Sequence, residues 1–359
     1  MQYPLIIILS LLLTVSCSDY KRENITFGLN TAPVTLDPRF ATDAVSYRIT
    51  RLIYKSLVDF DEQFNVIADL ASWEQIALDH YRFKLGSQYR QFHNGNYLTA
   101  EDVKATYESV LDIAVASPHR GSVQMIESIE VIDDDTVDFY LTQDDPLFPG
   151  RLVIGILPKE LIVKGHNFKQ EPIGSGPMRF WEWQDDSNLS LVRLSDQQVI
   201  SFSELKDPTV RVLKLLRGEI DLIQGNLPPE IVKWLDETQS IQVKKKRGGL
   251  FAYIGFNLED RDTKKLAVRT AIAHAINREA MIKYLKGESA RKAGAILPPG
   301  HWASAADLEG VGFDPVKAKA LLAQAGYSAI NPLKLTYKTT NNPDSLRLAT
   351  VIQDQLKVA

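Results

Sequence analysis

Residues 251–287 constrain the fold more than any other stretch. They read FAYIGFN, then LEDRDTKKLAVR, then TAIAHAINREAMIKYLKG. The first run is short, aromatic and apolar, a composition that suits a buried strand. A charged loop follows Asn257, where Asp262 or Thr263 can cap a helix by accepting an orphan backbone N–H. Leu266, Ile272, Ala275, Ile276, Ile282 and Leu285 then recur at three-to-four spacing, which predicts one helix with an apolar face. Gly287 closes it where the chain can turn left-handed. Strand followed by helix points to a mixed α/β protein, and residues two apart on that strand, Tyr253 and Gly255, share a face.

A chain of 359 residues has room for two or three domains. Its net charge of −4 argues against a dedicated nucleic-acid binder. The basic run Lys244, Lys245, Lys246 and Arg247 reads as a solvated turn. The N-terminus differs from the rest: residues 5–15 are almost wholly apolar, yet too few to span a bilayer, and read as the core of a secretory signal. Ser16 and Cys17 follow. Cys17 is the only cysteine, so no internal disulfide can form. The segment resembles a bacterial lipobox, which implies lipidation at Cys17, with residues 19–24 as a polar tether. Thr14, where leucine is usual, and the lack of a preceding Lys or Arg depart from that pattern.

Taken in order, the chain carries a series of local signals. Residues 25–29 read as a first strand, and Pro33 and Pro38 keep the following segment PVTLDP extended or turned. Residues 46–56 predict a helix and 57–61 a strand. Residues 81–85 alternate as a half-exposed strand should. Asn94-Gly95 is a turn, because both residues tolerate positive φ. Thr99 to Asp102 is a capping-box pattern opening a helix through Leu111. Residues 126–131 and 136–141 predict a hairpin about Asp133, Asp134 and Asp135, a solvated turn without the glycine and distal glutamate of a calcium loop. The two glycines of PIGSGP (residues 172–177) do not make a phosphate loop, since no Lys-Ser/Thr follows. Leu297 to Gly300 predicts a turn. Asp314-Pro315 opens a helix that Gly326 ends. Residues 333–337 predict a strand and 345–358 an amphipathic helix.

The chain lacks the H-E-x-x-H, G-x-S-x-G, C-x-x-C and phosphate-loop spacings, and its six histidines are scattered. His93 reads as a turn residue, without a catalytic or metal role. No cofactor is expected, and the chain reads as a binder, not an enzyme. A hydrolase built from residues distant in sequence is the competing class.

Several spellings, in order along the chain, carry a resemblance: P-x-x-LDP, DLASWE (69–74), FHNG through LTAEDV (92–103), PIGSGP, RGEIDL (217–222), and Y-x-G-F-N through V-R-x-A-I-x-x-A-I-N-R (253–278). Together they resemble the extracellular solute-binding proteins of the peptide and nickel class, family 5, which feed ABC importers. The resemblance implies an α/β fold of periplasmic-binding-protein type II, with two lobes, a ligand cleft and a subdomain inserted in the first lobe. It divides the chain into a signal segment (1–17), a first lobe (18–46 and 172–249), the insert (47–171) and a second lobe (250–359). Relatives continue past the position of Ala359, so the second lobe is expected to be truncated. The family pattern departs here at Ser175 for threonine, Met178 for tyrosine and a diverged segment 195–208.

By the same resemblance, Ala32, Pro33 and Val34 form the first-lobe edge of the cleft, and Tyr253 and Gly255 the second-lobe edge. The ligand is expected to be a di- or oligopeptide, and the partner an ABC permease, at the periplasm or cell surface on a lipid anchor. Nickel chelate, haem or another small solute are alternatives within the family. A cytoplasmic solute-sensing regulator is opposed by the export signal and by the missing DNA-binding helices.

Overall fold

The computed structural model describes residues 24–358 except 226, 247, 250, 288, 289 and 306. The signal segment and Cys17 lie outside the described residues, as does Arg247. The chain divides into two compact units. One holds the described residues to Leu57, with Leu70–Asp145 and Ile154–Gln224; the other holds Val58–Asp69, Pro146–Val153 and the residues from Gly225.

The first unit is built on two sheets. In the five-stranded sheet the order is β11-β1-β10-β9-β8, comprising β1 (Asn24–Leu29), β8 (Met178–Gln184), β9 (Asn188–Arg193), β10 (Val199–Glu204) and β11 (Leu222–Ile223). β1 runs parallel to β10 on one side and β11 on the other, with Leu29 opposite Glu204 and Phe27 opposite Leu222. The three strands therefore end together at Leu29, Glu204 and Ile223. Antiparallel hairpin pairings add β9 and β8.

Helix α1 (Ala44–Ile53) follows β1. Asp43 caps it by accepting from the backbone N–H groups of Val45 and Ser46, and the helix starts at Ala44, two residues before the predicted start. Its apolar face, Val45, Ile49 and Ile53, packs with Leu29, Leu189, Leu191 and Phe202 of the sheet. Burying each such side chain contributes about 1.5–3 kcal/mol.

The four-stranded antiparallel sheet has the order β4-β5-β7-β6, from β4 (Ala71–Ala77), β5 (His80–Leu85), β6 (Ile126–Asp133) and β7 (Thr136–Leu141). Helix α2 (Ala100–Leu111) begins as expected, with Asp102 Oδ2 accepting from the Thr99 backbone N–H at 2.8 Å. Tyr107 of α2 meets Phe139 edge-on at 5.7 Å, and Phe139 meets Phe83 in the same manner. The acidic turn between β6 and β7 is more than a solvated turn. Asp135 Oδ1 takes a 2.8 Å bond from Arg90, a guanidinium only 3% exposed that also donates to the carbonyls of Leu98 and Gly86. Asp134 accepts the first helical N–H of α2, that of Ala100.

The second unit contains the short hairpin β2 (Val58–Phe60) and β3 (Val66–Ala68) and a helical core. Helix α5 (Leu266–Ala275) is preceded in chain order by α3 (Pro208–Leu216), which belongs to the first unit, and by α4 (Pro229–Asp236). Two expectations about its start and end are corrected. Asp262 and Thr263 do not cap α5; their own N–H groups bond to Asp260 Oδ1 in a preceding turn, and Lys265 stands at the cap position. The helix also does not run unbroken to Gly287. It stops at Ile276, and Asn277 caps a new short helix through the Ala280 N–H, because an Asn side chain competes for backbone donors.

Val268, Ile272 and Ile276 pack with Ile352 of α7 (Pro343–Val358), which follows α6 (Pro315–Gln324). Asp314 caps α6 through the Lys317 N–H, and Gly326 ends it at φ +94°, both as predicted. The strands predicted at 251–256 and 333–337 are not formed. Both segments lack a ladder among the described residues, and a strand exists only as one side of a ladder.

Candidate functional site

The chain after β1 is held in a fixed path by side chains from two directions. The Ala32 N–H donates to Glu204 Oε1 at 3.2 Å, from the end of β10. The N–H groups of Val34 and Thr35 both donate to Ser46 Oγ, at 2.8 and 3.1 Å, from the first turn of α1. Ser46 is wholly buried, so its hydroxyl is a rigid acceptor. Pro33 is buried between these two anchor points, whereas Val34 is 67% exposed. The three residues expected at the site thus lie on one ordered loop, with Val34 as its outward side chain.

That loop sits where the parallel strands β1, β10 and β11 end. In open α/β sheets this edge is the usual place for a ligand. Behind the loop, Asp37 chelates Arg39 through both carboxylate oxygens, and the Arg39 guanidinium lies 5.5 Å from the centre of the Phe168 ring. A recess of about 450 Å³ opens between Val34, Thr35, Asp37 and Phe40 on one side and His166 and Phe168 on the other.

The PIGSGP loop supports α1. The Gly176 N–H donates to the Ile53 carbonyl at 2.8 Å. A β-carbon on Gly174 would stand 2.1 Å from that same oxygen, and one on Gly176 would stand 2.6 Å from Leu52 O. Both glycines are therefore places of close backbone approach. The FHNG turn is clipped to the same loop: the His93 N–H donates to Gly174 O, and Nε2 donates to Gly176 O at 3.0 Å. Burial lowers the His93 pKa, and Nδ1 is buried without a partner, so the neutral ring is the one that fits. His93 is structural.

In the second unit, residues 251–257 belong to no helix or strand and are mostly exposed. Ile254 and Phe256 turn toward the core of Val268, Ile272 and Ile276, while Tyr253, at 76% exposure, and Gly255 face outward. The Phe251 and Tyr253 rings lie 5.6 Å apart on that outer side. Gly255 has no positive φ, and a β-carbon there would meet only Tyr253 Cε2, at 3.6 Å. Neither strain nor packing demands glycine at this position. Among the described residues no cluster of His, Cys, Asp or Glu could hold a metal ion, and no helix is long and apolar enough to cross a membrane.

Sequence reading missed Ser46, Glu204 and Arg90. Ser46 and Glu204 act on a loop that is 12 and 172 positions away, respectively, so no local pattern marks them.

A mixed sheet with an ordered loop at the ends of its parallel strands, and a second antiparallel sheet, is the α/β architecture of a periplasmic binding protein of type II, which the similar solved structures share. A family model described as bacterial extracellular solute-binding proteins, family 5 middle, matches residues 66–359, and the chain belongs to that family. A Brucella ovis protein described as a peptide-binding protein of an ABC transporter is 28% identical over 84% of this chain, and the chain spans 60% of that relative's length. Among solved structures, an ABC transporter-associated periplasmic binding protein of Helicobacter pylori in complex with the peptide STSA is 28% identical, with a TM-score of 0.83 over 93% of this chain and 72% of its own. A binding protein from A. tumefaciens R10 in complex with mannopinic acid is 27% identical, with a TM-score of 0.82 over 93% of this chain and 71% of its own.

Proposed function

We propose that this protein is the substrate-binding component of an ABC importer, capturing di- or oligopeptides between two lobes and delivering them to a membrane permease. One observation carries the reading: residues 251–257 present Tyr253 and Gly255 outward, with Ile254 and Phe256 turned to the core, and join no strand among the described residues. An extended peptide is the ligand that such a segment can take, because it matches backbone donors and acceptors in strand fashion while its side chains go to separate pockets. The peptide-binding relatives support this choice of ligand.

In this reading Ala32, Pro33 and Val34 are the opposite edge of the site. The lobes are 18–46 with 172–249, carrying the insert 47–171, and 250–359. The two lobes close on the ligand, whose tighter binding to the closed form shifts the population. The protein works outside the cytoplasm, tied to the membrane by a lipid on Cys17. Labelling with a fatty-acid analogue is expected to mark the wild type and not Cys17→Ser; equal labelling of both removes the anchor from the account.

A non-peptide solute is the second reading, whether nickel chelate, haem or another small solute, supported by the neighbour bound to mannopinic acid. Native mass spectrometry of the protein purified without denaturation decides between them. The expected adducts are a family of peptide masses. A single non-peptide mass, or a metal-chelate mass, contradicts the peptide reading.

A further inference from the structure

Resting on the lipid-anchor reading above, we propose that the end of the five-stranded sheet where β1, β10 and β11 begin is a surface that lies on anionic phospholipid. The site loop is then held on the side away from the bilayer. Six residues separate Cys17 from Asn24, the first residue of β1. At no more than about 3.6 Å per residue they reach about 25 Å. The start of β1 is therefore never far from the membrane, whereas the Ala32–Val34 loop follows the other end of a strand about 20 Å long.

Charge is distributed along the same axis. Strand register puts Arg193 and Arg179 at the starting end, opposite Met178 and Val192. The Asp221 N–H donates to Thr26 O, so the turn before β11, with Lys214, Arg217 and Glu219, lies there too. The last turn of α1 arrives at this end, tied through Ile53 O to Gly176 just before β8, and brings Lys55. Against these cations stand Glu219 and Asp196, the latter paired with Arg193. Asp221 spends its carboxylate on the Thr26 N–H. The site end has the opposite sign, with Asp185 and Asp186 in the β8–β9 turn and Glu204 and the α3 cap Asp207 against Lys206.

Apolar and aromatic tips complete the surface. Leu194, 42% exposed, tips the β9–β10 turn, and the exposed Tyr89 ring lies 4.8 Å from the Lys55 ammonium. Cations beside such side chains suit a headgroup layer, where the charge meets phosphate and the ring or aliphatic group sits at the interface. A protein partner would meet the same charge, but only the lipid is tied to this end by the chain.

The test uses the full lipidated chain in phosphatidylcholine vesicles, with or without phosphatidylglycerol at about 30% of the lipid. With the Cys17 sulfur taken by the lipid, Ser195→Cys in the β9–β10 turn or Gln184→Cys at the far end of β8 supplies the one thiol for a fluorophore. Quenching by headgroup-spin-labelled lipid reads its distance from the bilayer. The label at position 195 is expected to be quenched more than the label at position 184 when phosphatidylglycerol is present. That difference is expected to shrink in phosphatidylcholine alone and at high salt. Arg179→Gln combined with Arg217→Gln is expected to melt like wild type and to lower the docked-to-free ratio about fivefold per cation. Equal quenching of the two labels, or a difference that neither phosphatidylglycerol nor the double variant changes, overturns the proposal. No quenching of either label, with reduced peptide uptake by cells carrying the double variant, assigns the surface to a permease and overturns it as well. Flotation with phosphatidylcholine vesicles reads the anchor separately. A wild type that does not float overturns the lipid-anchor reading, and the membrane-facing surface falls with it.

Discussion

The carbonyl oxygen of Ile53 occupies the space where a side chain on Gly174 would begin, 2.1 Å from an added β-carbon. The same oxygen accepts the Gly176 N–H, so the last turn of α1 is satisfied by a loop that only glycine lets approach. Gly174→Ala must push backbone against backbone. It is expected to cost about 1–3 kcal/mol or more, read as a clear drop in melting temperature, and Gly176→Ala is expected to behave alike. A wild-type melting temperature for Gly174→Ala contradicts this packing.

Arg90 is buried, and its fork joins two carbonyl groups to Asp135. Lysine carries the charge but not the fork. Arg90→Lys is expected to destabilise by about 2–4 kcal/mol, because buried carbonyls lose donors, and denaturant unfolding measures it. Unchanged stability would mean that the acidic turn is only a solvated connection.

His93 gives a pH dependence with a definite sign. Burial lowers its folded pKa below the usual 6.5, so above that pH the ring is neutral in both states and the full stability is present. As pH falls below 6.5, the unfolded chain takes the proton first and stability is lost, until the lowered folded pKa is reached. His93→Gln is expected to flatten the slope of unfolding midpoint against pH in that window. The same slope in both proteins contradicts the role.

Asp262 titrates in the opposite sense. Hydrogen bonds from Arg261 and from the Tyr327 hydroxyl, the latter at 2.6 Å, hold its pKa down to about 2 from 3.8. Its contribution is present above pH 3.8 and is lost as pH falls toward about 2. Tyr327→Phe removes the second donor and is expected to raise the Asp262 pKa, measurable as the titration of its carboxyl resonance. An unmoved pKa contradicts the contact.

The sequence was most legible where a signal acts within a few residues. The Asp314 cap, the Thr99–Asp102 box and the Asn94-Gly95 turn all depend on neighbours three or fewer positions away, and all are present. Alternation also placed Tyr253 and Gly255 on one side and Ile254 and Phe256 on the other. It could not supply a ladder, which is a property of two segments, and so the strand expected at 251–256 is not formed among the described residues. Glu204 and Arg90 stayed hidden for the same reason: each earns its role from residues far along the chain, 172 positions away for Ala32 and 45 for Asp135.

The outer face of residues 253–255 is the proposed ligand-facing surface, and Gly255 tests it most directly. With ordinary φ and open space around it, Gly255→Ala is expected to melt and bind like wild type. Gly255→Glu is expected to keep its melting temperature, because the added carboxylate stays hydrated when no ligand is present. It is expected to lose peptide affinity by about 10²-fold or more, since burying that charge unpaired against a ligand costs several kcal/mol. Calorimetric titration of both variants with the peptides that co-purify with wild type gives the answer. Normal melting with undiminished binding in Gly255→Glu would contradict the account.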